Sequence, residues 1–297
     1  SIPSTDTKAQ LDDITMSSLG GQKKTPLDAI VQGSTMQAMP TFSNVADKRA
    51  FMLEHMAHAF HVFARRGYSE GMAGHISLRD PEFPDKFWLN PLGVHFALLT
   101  PGDMALVNEQ GEVIGGNKSR PVNAAGFLIH SAIHRARPDV VAACHCHSRF
   151  GKAWSAFGRP FEMLNGDAAM FYGDAQAVLT SYGGLVFEES LSDPVASALG
   201  LNGRGLIMQN HGLLTVGQSV DEAAYLFTLM ERCCEIQLLV EAAAKDGLQK
   251  QCIDDATAKH TFETSSDSDS LYCEFQPEIQ NEILLRRLKF GSESPGE

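Results

Sequence analysis

The sequence predicts an α/β fold in which helices cover a central sheet. Three observations predict it: apolar segments of strand length alternate with helical patterns, the run 140–147 of small and branched residues is typical of a buried strand, and a second apolar run, 205–212, has the same character. The chain has 297 residues, of which 43% are hydrophobic, so it can bury one large core. We therefore expect one main domain.

The first part of the chain differs in composition from the rest. Residues 1–42 are rich in Ser, Thr, Gln, Pro and Gly, which predicts an arm that is disordered or lies on a neighbouring subunit. Ser43 then caps a helical pattern over 45–66 that stops at Gly67. Its histidines, at 55, 58 and 61, do not all share one face, so we interpret them as surface or packing residues.

Short strands and helices alternate through the middle of the chain. Period-two patterns and turn residues predict strands at 75–79 and 87–91 and a hairpin over 104–114, with its turn at Asn108–Gly111. Helical patterns cover 126–135 and 149–156, on either side of the strand 140–147.

The last third begins with a helix over 193–199 and the strand that precedes His211. Ser219 and Glu222 have the spacing of a capping box, which opens the longest helix. The buried stripe of this helix is predicted to consist of Val220, Ala223, Phe227, Met230, Cys234 and Leu238. After residue 245 the pattern weakens, and we expect a mobile loop over 264–270 and a helix over 278–288.

Three histidines stand at the ends of the two apolar runs. His145 and His147 are two residues apart on a strand, so their side chains point to the same face, and His211 ends the second run. Cys144 and Cys146 point the other way and are expected to be core thiols. A His-x-His pair is often only a satisfied polar pair at a sheet edge, but three imidazoles that leave a coordination position open would make a catalytic metal site.

Composition excludes several classes of function. The formal charge of −12 argues against nucleic-acid binding, which needs a basic surface. The beginning of the sequence has no signal-peptide pattern, and no apolar run approaches the ~20 residues of a membrane helix, so we expect a cytoplasmic protein without a membrane partner. The six cysteines have no framework spacing, which favours reduced thiols.

Several motifs together resemble the class II aldolase/adducin family. The resemblance extends from about residue 43 to residue 240, in the family's order, and it is carried by the blocks 74–79, 99–104, 124–147, 210–214 and 221–224. It implies a three-layer α/β/α fold with a central, mostly antiparallel or mixed sheet, and His145, His147 and His211 as metal ligands. It also implies a homo-oligomer, with a tetramer favoured and the active site at a subunit boundary. We accordingly divide the chain into the arm 1–42, a metal-binding domain 43–250 and a C-terminal helical extension 251–297, which packs on this domain or on a neighbouring subunit.

One departure from the family bears on the reaction. The family's sugar-phosphate aldolases have a glutamate 19 residues before the first ligand histidine, as base and additional metal ligand; this sequence has Gly126 there. Serines that hold the substrate phosphate are replaced by Ala124 and Ala125. An aldolase for a phosphorylated sugar is therefore disfavoured, because the base and part of the anion site are missing.

The sequence also resembles the oxidative decarboxylases of aminocoumarin pathways, through the stretches 69–82, 151–155 and 212–217. This resemblance implies an enzyme of specialised metabolism that uses Fe²⁺ and O₂ to decarboxylate a small 2-oxo, 2-hydroxy or 2-amino acid. Two alternatives remain open: a lyase that uses Zn²⁺, acting as an aldolase on an unphosphorylated substrate or as a non-oxidative decarboxylase, and a non-catalytic assembly module like adducin.

Six further residues are candidates for catalytic or substrate-binding roles near the metal. His75, Asp167 and Tyr172 are predicted to be catalytic, although His75 could equally make a structural hydrogen bond and Tyr172 could simply pack. His95, Asn165 and Gly126 are predicted to contribute to substrate binding.

Overall fold

The computed structural model describes residues 33, 36, 38–180 and 193–290. Most of the predicted arm, residues 1–32, 34, 35 and 37, lies outside the described residues. Eight strands form one sheet in the part that is described. They are β1 (His75–Arg79), β2 (Phe87–Leu89), β3 (Ala105–Val107), β4 (Val113–Gly116), β5 (Ala142–Cys146), β6 (Gln176–Leu179), β7 (Gly205–Met208) and β8 (Gly212–Gly217).

The sheet is mixed and mostly antiparallel, as predicted. Its strand order is β4-β3-β2-β1-β5-β8-β7-β6, and only the pair β6 and β7 is parallel among these neighbours. The hairpin of β3 and β4 turns at the predicted place, where Gly111 N–H donates to Asn108 O. The strand that carries His145 lies in the middle of the sheet, between β1 and β8.

Helices cover both faces of this sheet. Their bounds are α1 (Val45–Arg65), α2 (Ala124–Ala136), α3 (Arg149–Ser155), α4 (Gly166–Ala169), α5 (Asp193–Leu199), α6 (Val220–Lys245), α7 (Asp255–Ser265) and α8 (Ser268–Phe290). One face of the sheet packs against α2 and α5 through residues such as Ile133, Leu199 and Leu214. The main core, which includes residues of α1, α6 and α8, covers the other face. The three-layer α/β/α arrangement is confirmed.

Alternation along β5 decides which side chains meet which layer. Ala143 packs in the cluster under α2 and α5, and His145, two residues on, shares that face. Cys144 and Cys146 belong to the main core on the opposite face, as predicted for core thiols. Burial raises the pKa of both thiols well above its ordinary value, so they are protonated and unsuited to metal binding.

The histidines of α1 are buried. His55 Nδ1 lies 2.7 Å from an Asp221 carboxylate oxygen, and His61 Nε2 donates to Leu99 O at 2.7 Å. His58 is buried as well. They are therefore packing residues, and the surface alternative was wrong. The helix is capped by Asn44, whose side chain accepts from Asp47 N–H, and not by Ser43.

The longest helix, α6, has the predicted buried stripe, but its capping box is only half formed. Ser219 Oγ accepts from Glu222 N–H at 3.0 Å, while the Glu222 carboxylate accepts from Gln218 N–H and not from the backbone of Ser219. One side chain therefore caps the helix and the other holds the preceding loop.

The C-terminal part contains more helix than expected. The predicted mobile loop over 264–270 was wrong, because α7 extends to Ser265 and α8 starts at Ser268. Asp267 caps α8 by accepting from both the N–H and the hydroxyl of Ser270. Polar residues that suggested a loop are therefore cap residues, which the same chemistry favours. Phe275 and Ile279 of α8 pack in the main core.

No helix in the described part of the chain is both long and apolar enough to cross a membrane.

Asp80, directly after β1, is the centre of a buried polar cluster. Its carboxylate accepts from Arg49 at 2.7 Å, from Trp88 Nε1 at 2.8 Å and from two backbone N–H groups. Burial acts to raise the pKa of Asp80, but the bonds from Arg49 and its other donors outweigh burial and lower that pKa to about 2. The cluster therefore stabilises the ionised carboxylate.

We expect Asp80→Asn to lower the free energy of unfolding by about 3 kcal/mol at pH 7, because it leaves Arg49 without its buried partner. The pKa of Asp80 is lower in the folded protein than in the unfolded chain, so its stabilisation is full above about pH 5 and decreases as the pH falls from about 4 towards 2. Urea unfolding between pH 3 and pH 7 measures both effects. The control is Glu82→Gln, at an exposed carboxylate that also pairs with Arg49; it should cost less than about 1 kcal/mol. An equal loss in both variants would contradict the role of Asp80.

Candidate metal centre

Three histidines converge at one end of the central strands. His145 is in β5, His147 follows it by two residues, and His211 lies in the turn between β7 and β8. One ligand nitrogen from each lies within 4.8 Å of the others, and the ring centroids are 4.7 to 5.1 Å apart. Such a group could hold a metal ion.

The turn that carries His211 has an unusual backbone. Asn210 has φ of 56°. Among the described residues, it is the one residue other than glycine that has a positive φ. Asparagine adopts this left-handed conformation more readily than most residues, because its side chain can bond locally. The turn directs the neighbouring His211 towards β5.

His145 is held by the strand beside it. Its Nδ1–H donates to Leu213 O of β8 at 2.8 Å, and the ring is buried. This bond fixes the tautomer and leaves Nε2 as the nitrogen that can bind a metal. His147 is more open, with 28% of its side chain exposed, and its Nδ1 lies 3.9 Å from the Glu70 carboxylate.

All three imidazoles are neutral near pH 7. Burial lowers the pKa of each below its ordinary value, and nearby histidines lower those of His145 and His211 further; the pKa of His211 falls to about 4. A neutral imidazole has the free lone pair that metal binding requires.

A cavity of about 250 Å³ opens beside these nitrogens. Its walls include the apolar side chains of Met72, Leu92 and Ile129, together with His75, Asn123 and Gly126. Among the described residues, the lining contains no Lys, Arg, Asp or Glu. The described lining therefore offers no cation for a phosphate group, in agreement with the alanines at 124 and 125.

Two larger cavities lie elsewhere in the described structure, and neither includes the three histidines. The one of about 540 Å³ contains Arg66 and Arg232, but these pair with Glu278 and Asp167. We therefore take the smaller cavity as the candidate site, because of these three cavities it is the one that joins the histidine nitrogens to a concave surface.

Of the six further candidates, the structure brings His75 and Gly126 to the cavity. A side chain at 126 would meet His75, since a Cβ built on Gly126 lies 2.3 Å from His75 Nε2. The glycine therefore makes room for the imidazole. It does not itself offer a group that binds substrate.

The other four candidates do not line the cavity beside the three histidines. They make structural contacts instead. Asn165 caps α4 by accepting from Ala168 N–H, and Asp167 pairs with Arg232 at 3.2 Å. Tyr172 donates to Asp255 at 2.8 Å, and His95 accepts from Ala97 N–H at 3.1 Å. The catalytic and substrate-binding roles predicted for these residues stay predictions without support from their placement.

Sequence reasoning missed the residues behind His75. His130 Nε2 lies 2.9 Å from His75 Nδ1, and Ser77 and His134 continue the line. A pattern that could have indicated them is present: positions 75 and 77 share a strand face, and positions 130 and 134 share a helix face.

Comparison with known proteins agrees with this geometry. Residues 54–238 match the family model described as the Class II Aldolase and Adducin N-terminal domain. The chain belongs to this family. The resemblance carried by the motifs is thereby confirmed, and the metal-dependent chemistry typical of the family fits a group of three histidines.

Class II aldolase/adducin relatives of this chain include fungal and bacterial proteins. It is 42% identical to the meiotically up-regulated gene 14 protein of Schizosaccharomyces pombe, over 82% of this chain and 94% of that protein. It is 41% identical to the decarboxylase NovR of Streptomyces niveus, over 69% and 76%. It is 42% identical to the 4-hydroxy-3-prenylphenylpyruvate oxygenase/4-hydroxy-3-prenylbenzoate synthase of Streptomyces roseochromogenus, over 69% and 73%. The likeness to the oxidative decarboxylase branch is confirmed.

A solved structure of the class II aldolase/adducin family has the same fold. An L-fuculose 1-phosphate aldolase from Glaciozyma antarctica is 41% identical and superposes with a TM-score of 0.77, over 85% of this chain and 96% of that one. The predicted class II aldolase-like fold is confirmed.

Proposed function

We propose that this chain is a mononuclear non-haem enzyme that uses Fe²⁺ and O₂ to decarboxylate a small 2-oxo, 2-hydroxy or 2-amino acid in specialised metabolism. The observation that carries the proposal is the cavity with three neutral imidazoles, whose other lining residues in the described part of the chain are uncharged. The relatives that are a decarboxylase and an oxygenase support the same reaction class.

The residues present fit a metal of this kind. Imidazole nitrogens suit iron, zinc and copper, and the bond from His145 to Leu213 gives that ligand a fixed orientation. When bound, iron(II) would supply coordination positions for the acid and O₂, and the redox chemistry.

The chain itself would bind and shield the substrate. Since the lining has no cationic side chain from residues that the structure describes, the substrate carboxylate would depend on the metal for its partner, while Leu92 and Ile129 would exclude water from the rest of the substrate. The atoms of the reaction balance with one O₂ per molecule of acid: a 2-hydroxy acid and O₂ give CO₂, water and the carboxylic acid one carbon shorter. In this reaction the acid is oxidised and O₂ is reduced.

A zinc-dependent lyase is the second candidate, and the likeness to a solved aldolase supports it. In that case zinc would polarise a carbonyl group. Two observations disfavour a phosphorylated substrate for this lyase: position 126 has no carboxylate, and the described lining of the cavity has no cation. A non-catalytic module like adducin would have no need for three convergent imidazoles.

We also propose that the protein is a cytoplasmic homo-oligomer, with a tetramer favoured. Met72, at the cavity, is 66% exposed, which supports a neighbouring subunit beside the opening.

The test is anaerobic purification and metal analysis, followed by oxygen-electrode recording of iron-loaded protein with a panel of 2-oxo, 2-hydroxy and 2-amino acids. We expect O₂ uptake and release of CO₂ in equal amounts with at least one 2-hydroxy acid, and no uptake by zinc-loaded protein. Carbon–carbon cleavage by the zinc form without O₂ uptake would overturn the proposal in favour of the lyase.

A further inference from the structure

Behind the cavity, four buried residues form a continuous hydrogen-bonded chain. His75 Nδ1 lies 2.9 Å from His130 Nε2, His130 Nδ1 lies 2.6 Å from Ser77 Oγ, and Ser77 Oγ lies 2.8 Å from His134 Nε2. All four residues are buried. Buried polar groups are costly unless they are hydrogen-bonded, so these four residues depend on one another for their partners.

The far end of this buried chain sets the direction of its hydrogen bonds. Arg79 Nη2 lies 2.7 Å from His134 O and 3.3 Å from both Arg137 O and His134 Nδ1, and its two hydrogens are matched by the two carbonyl oxygens. His134 Nδ1 lies 3.3 Å from Val140 O, which can only accept, and we assign the Nδ1 hydrogen to this contact.

The direction then passes from residue to residue. All three rings are buried and none of them bonds to a carboxylate among the described residues, so each is neutral and has one N–H. With His134 Nε2 as an acceptor, the Ser77 hydroxyl donates to it, His130 Nδ1–H donates to Ser77, and His75 Nδ1–H donates to His130. This arrangement leaves a lone pair on His75 Nε2.

That lone pair faces the cavity. His75 Nε2 has no hydrogen-bond partner among the described residues, and it lies 2.3 Å from the point where a Cβ at 126 would stand. His75 and Gly126 both line the cavity, and the rings of His75 and His145 are 5.1 Å apart. An acceptor is thus fixed beside the ligand histidines.

We propose that His75 Nε2 accepts a hydrogen bond from the hydroxyl or amino group on C2 of the substrate, and that His130, Ser77 and His134 are positioning residues that hold it there. The proposal rests on the proposed function and narrows it: an acid with a donor at C2, such as a 2-hydroxy or 2-amino acid, is favoured over a 2-oxo acid. Gly126 has the separate role of leaving space for the ring.

A double-mutant cycle tests the contact. His75→Asn retains an N–H near the position of Nδ1, which keeps His130 bonded, and removes Nε2; we expect kcat to fall about 100-fold with metal content and melting temperature unchanged. Gly126→Ala should cause a similar loss because the new Cβ displaces the ring. In the His75→Asn background Gly126→Ala should have no further effect, since the two changes act on one contact. Additive losses, or full activity in His75→Asn, would overturn the proposal.

The positioning residues have their own test. Ser77→Ala interrupts the hydrogen-bonded chain, and we expect kcat to fall about 10-fold with little change in KM, while Ser77→Thr, which keeps the hydroxyl, restores it. Nitrogen-15 NMR of histidine-labelled protein reports the tautomer of His130 without any substrate. A proton on Nδ1 is expected; a proton on Nε2 would overturn the assigned direction.

Binding to zinc-loaded protein separates this inference from the proposed function. Calorimetry with lactate and pyruvate should show about 10-fold tighter binding of lactate, and His75→Asn should abolish that difference. If iron-loaded protein consumes no O₂ but the lactate preference is present, the proposed oxidative decarboxylation fails and the role of His75 stands. If O₂ is consumed but lactate and pyruvate bind equally, the role of His75 fails and the proposed oxidative decarboxylation stands.

Discussion

Replacing His147 by alanine is expected to abolish metal retention and to lower turnover at least about a thousandfold. Two imidazoles would remain from a group whose ligand nitrogens lie within 4.8 Å of one another, and two neutral ligands hold a divalent metal poorly in competition with water. The fold should be unaffected, since His147 is partly exposed and lies just after β5. We expect a change in unfolding free energy below about 1 kcal/mol for the metal-free proteins.

Glu70→Gln is the matched control for this variant. Glu70 lies 3.9 Å from His147 Nδ1 and pairs with Lys152 at 2.6 Å, so its replacement changes the environment of the ligand and leaves the ligand itself in place. The control should retain metal, with at most a 10- to 100-fold weaker affinity, an order of magnitude typical for groups that orient a ligand. Elemental analysis after dialysis and urea unfolding are the measurements. A full metal content in His147→Ala would show that the three histidines are not the ligand set.

Placing a glutamate at position 126 is the second change with a large expected effect. The family resemblance suggested that a carboxylate here would occupy a coordination position. The structure adds a steric clash, because the Cβ of the new residue would lie 2.3 Å from His75 Nε2. We expect Gly126→Glu to lower kcat at least 100-fold and to destabilise the protein by about 1–3 kcal/mol, as overpacking of a core usually does.

The double variant Gly126→Glu with His75→Asn tells these two effects apart. Asparagine is shorter than histidine, so the glutamate gains room, and we expect stability to recover while the oxidative activity stays low. Thermal unfolding and oxygen-electrode recording measure the two quantities independently. Wild-type kinetics and stability in Gly126→Glu would mean that α2 does not bring position 126 to the cavity.

That His145 and His147 lie together was predictable because strand alternation is a local rule, once β5 is recognised. His211 is far along the chain and reaches them through the pairing of β8 with β5. The position of Gly126 came from the family resemblance, by counting 19 residues back from His145. Only the pairing of His145 with His147 uses short-range geometry, which a sequence contains directly.

The buried chain behind His75 was not predictable in the same way. It depends on the register of β1 against β5, which sets His75 opposite His145 and Ser77 opposite Ala143, and on the packing of α2 over that face. Neither is a property of one segment. The same limitation explains Tyr172, whose hydroxyl bonds to Asp255 in a helix that the weak pattern after residue 245 did not indicate.

The bond from His145 to the carbonyl of Leu213 has a consequence for how the protein acquires its metal. The ligand is oriented by the same ladder of β5 and β8 that holds the sheet together, so the site is assembled by folding and not by the ion. Loading should then be a simple bimolecular capture through the partly exposed side of His147, with a rate proportional to free metal. Since imidazole ligands discriminate weakly among first-row metals, occupancy would follow the metal supply where the chain folds.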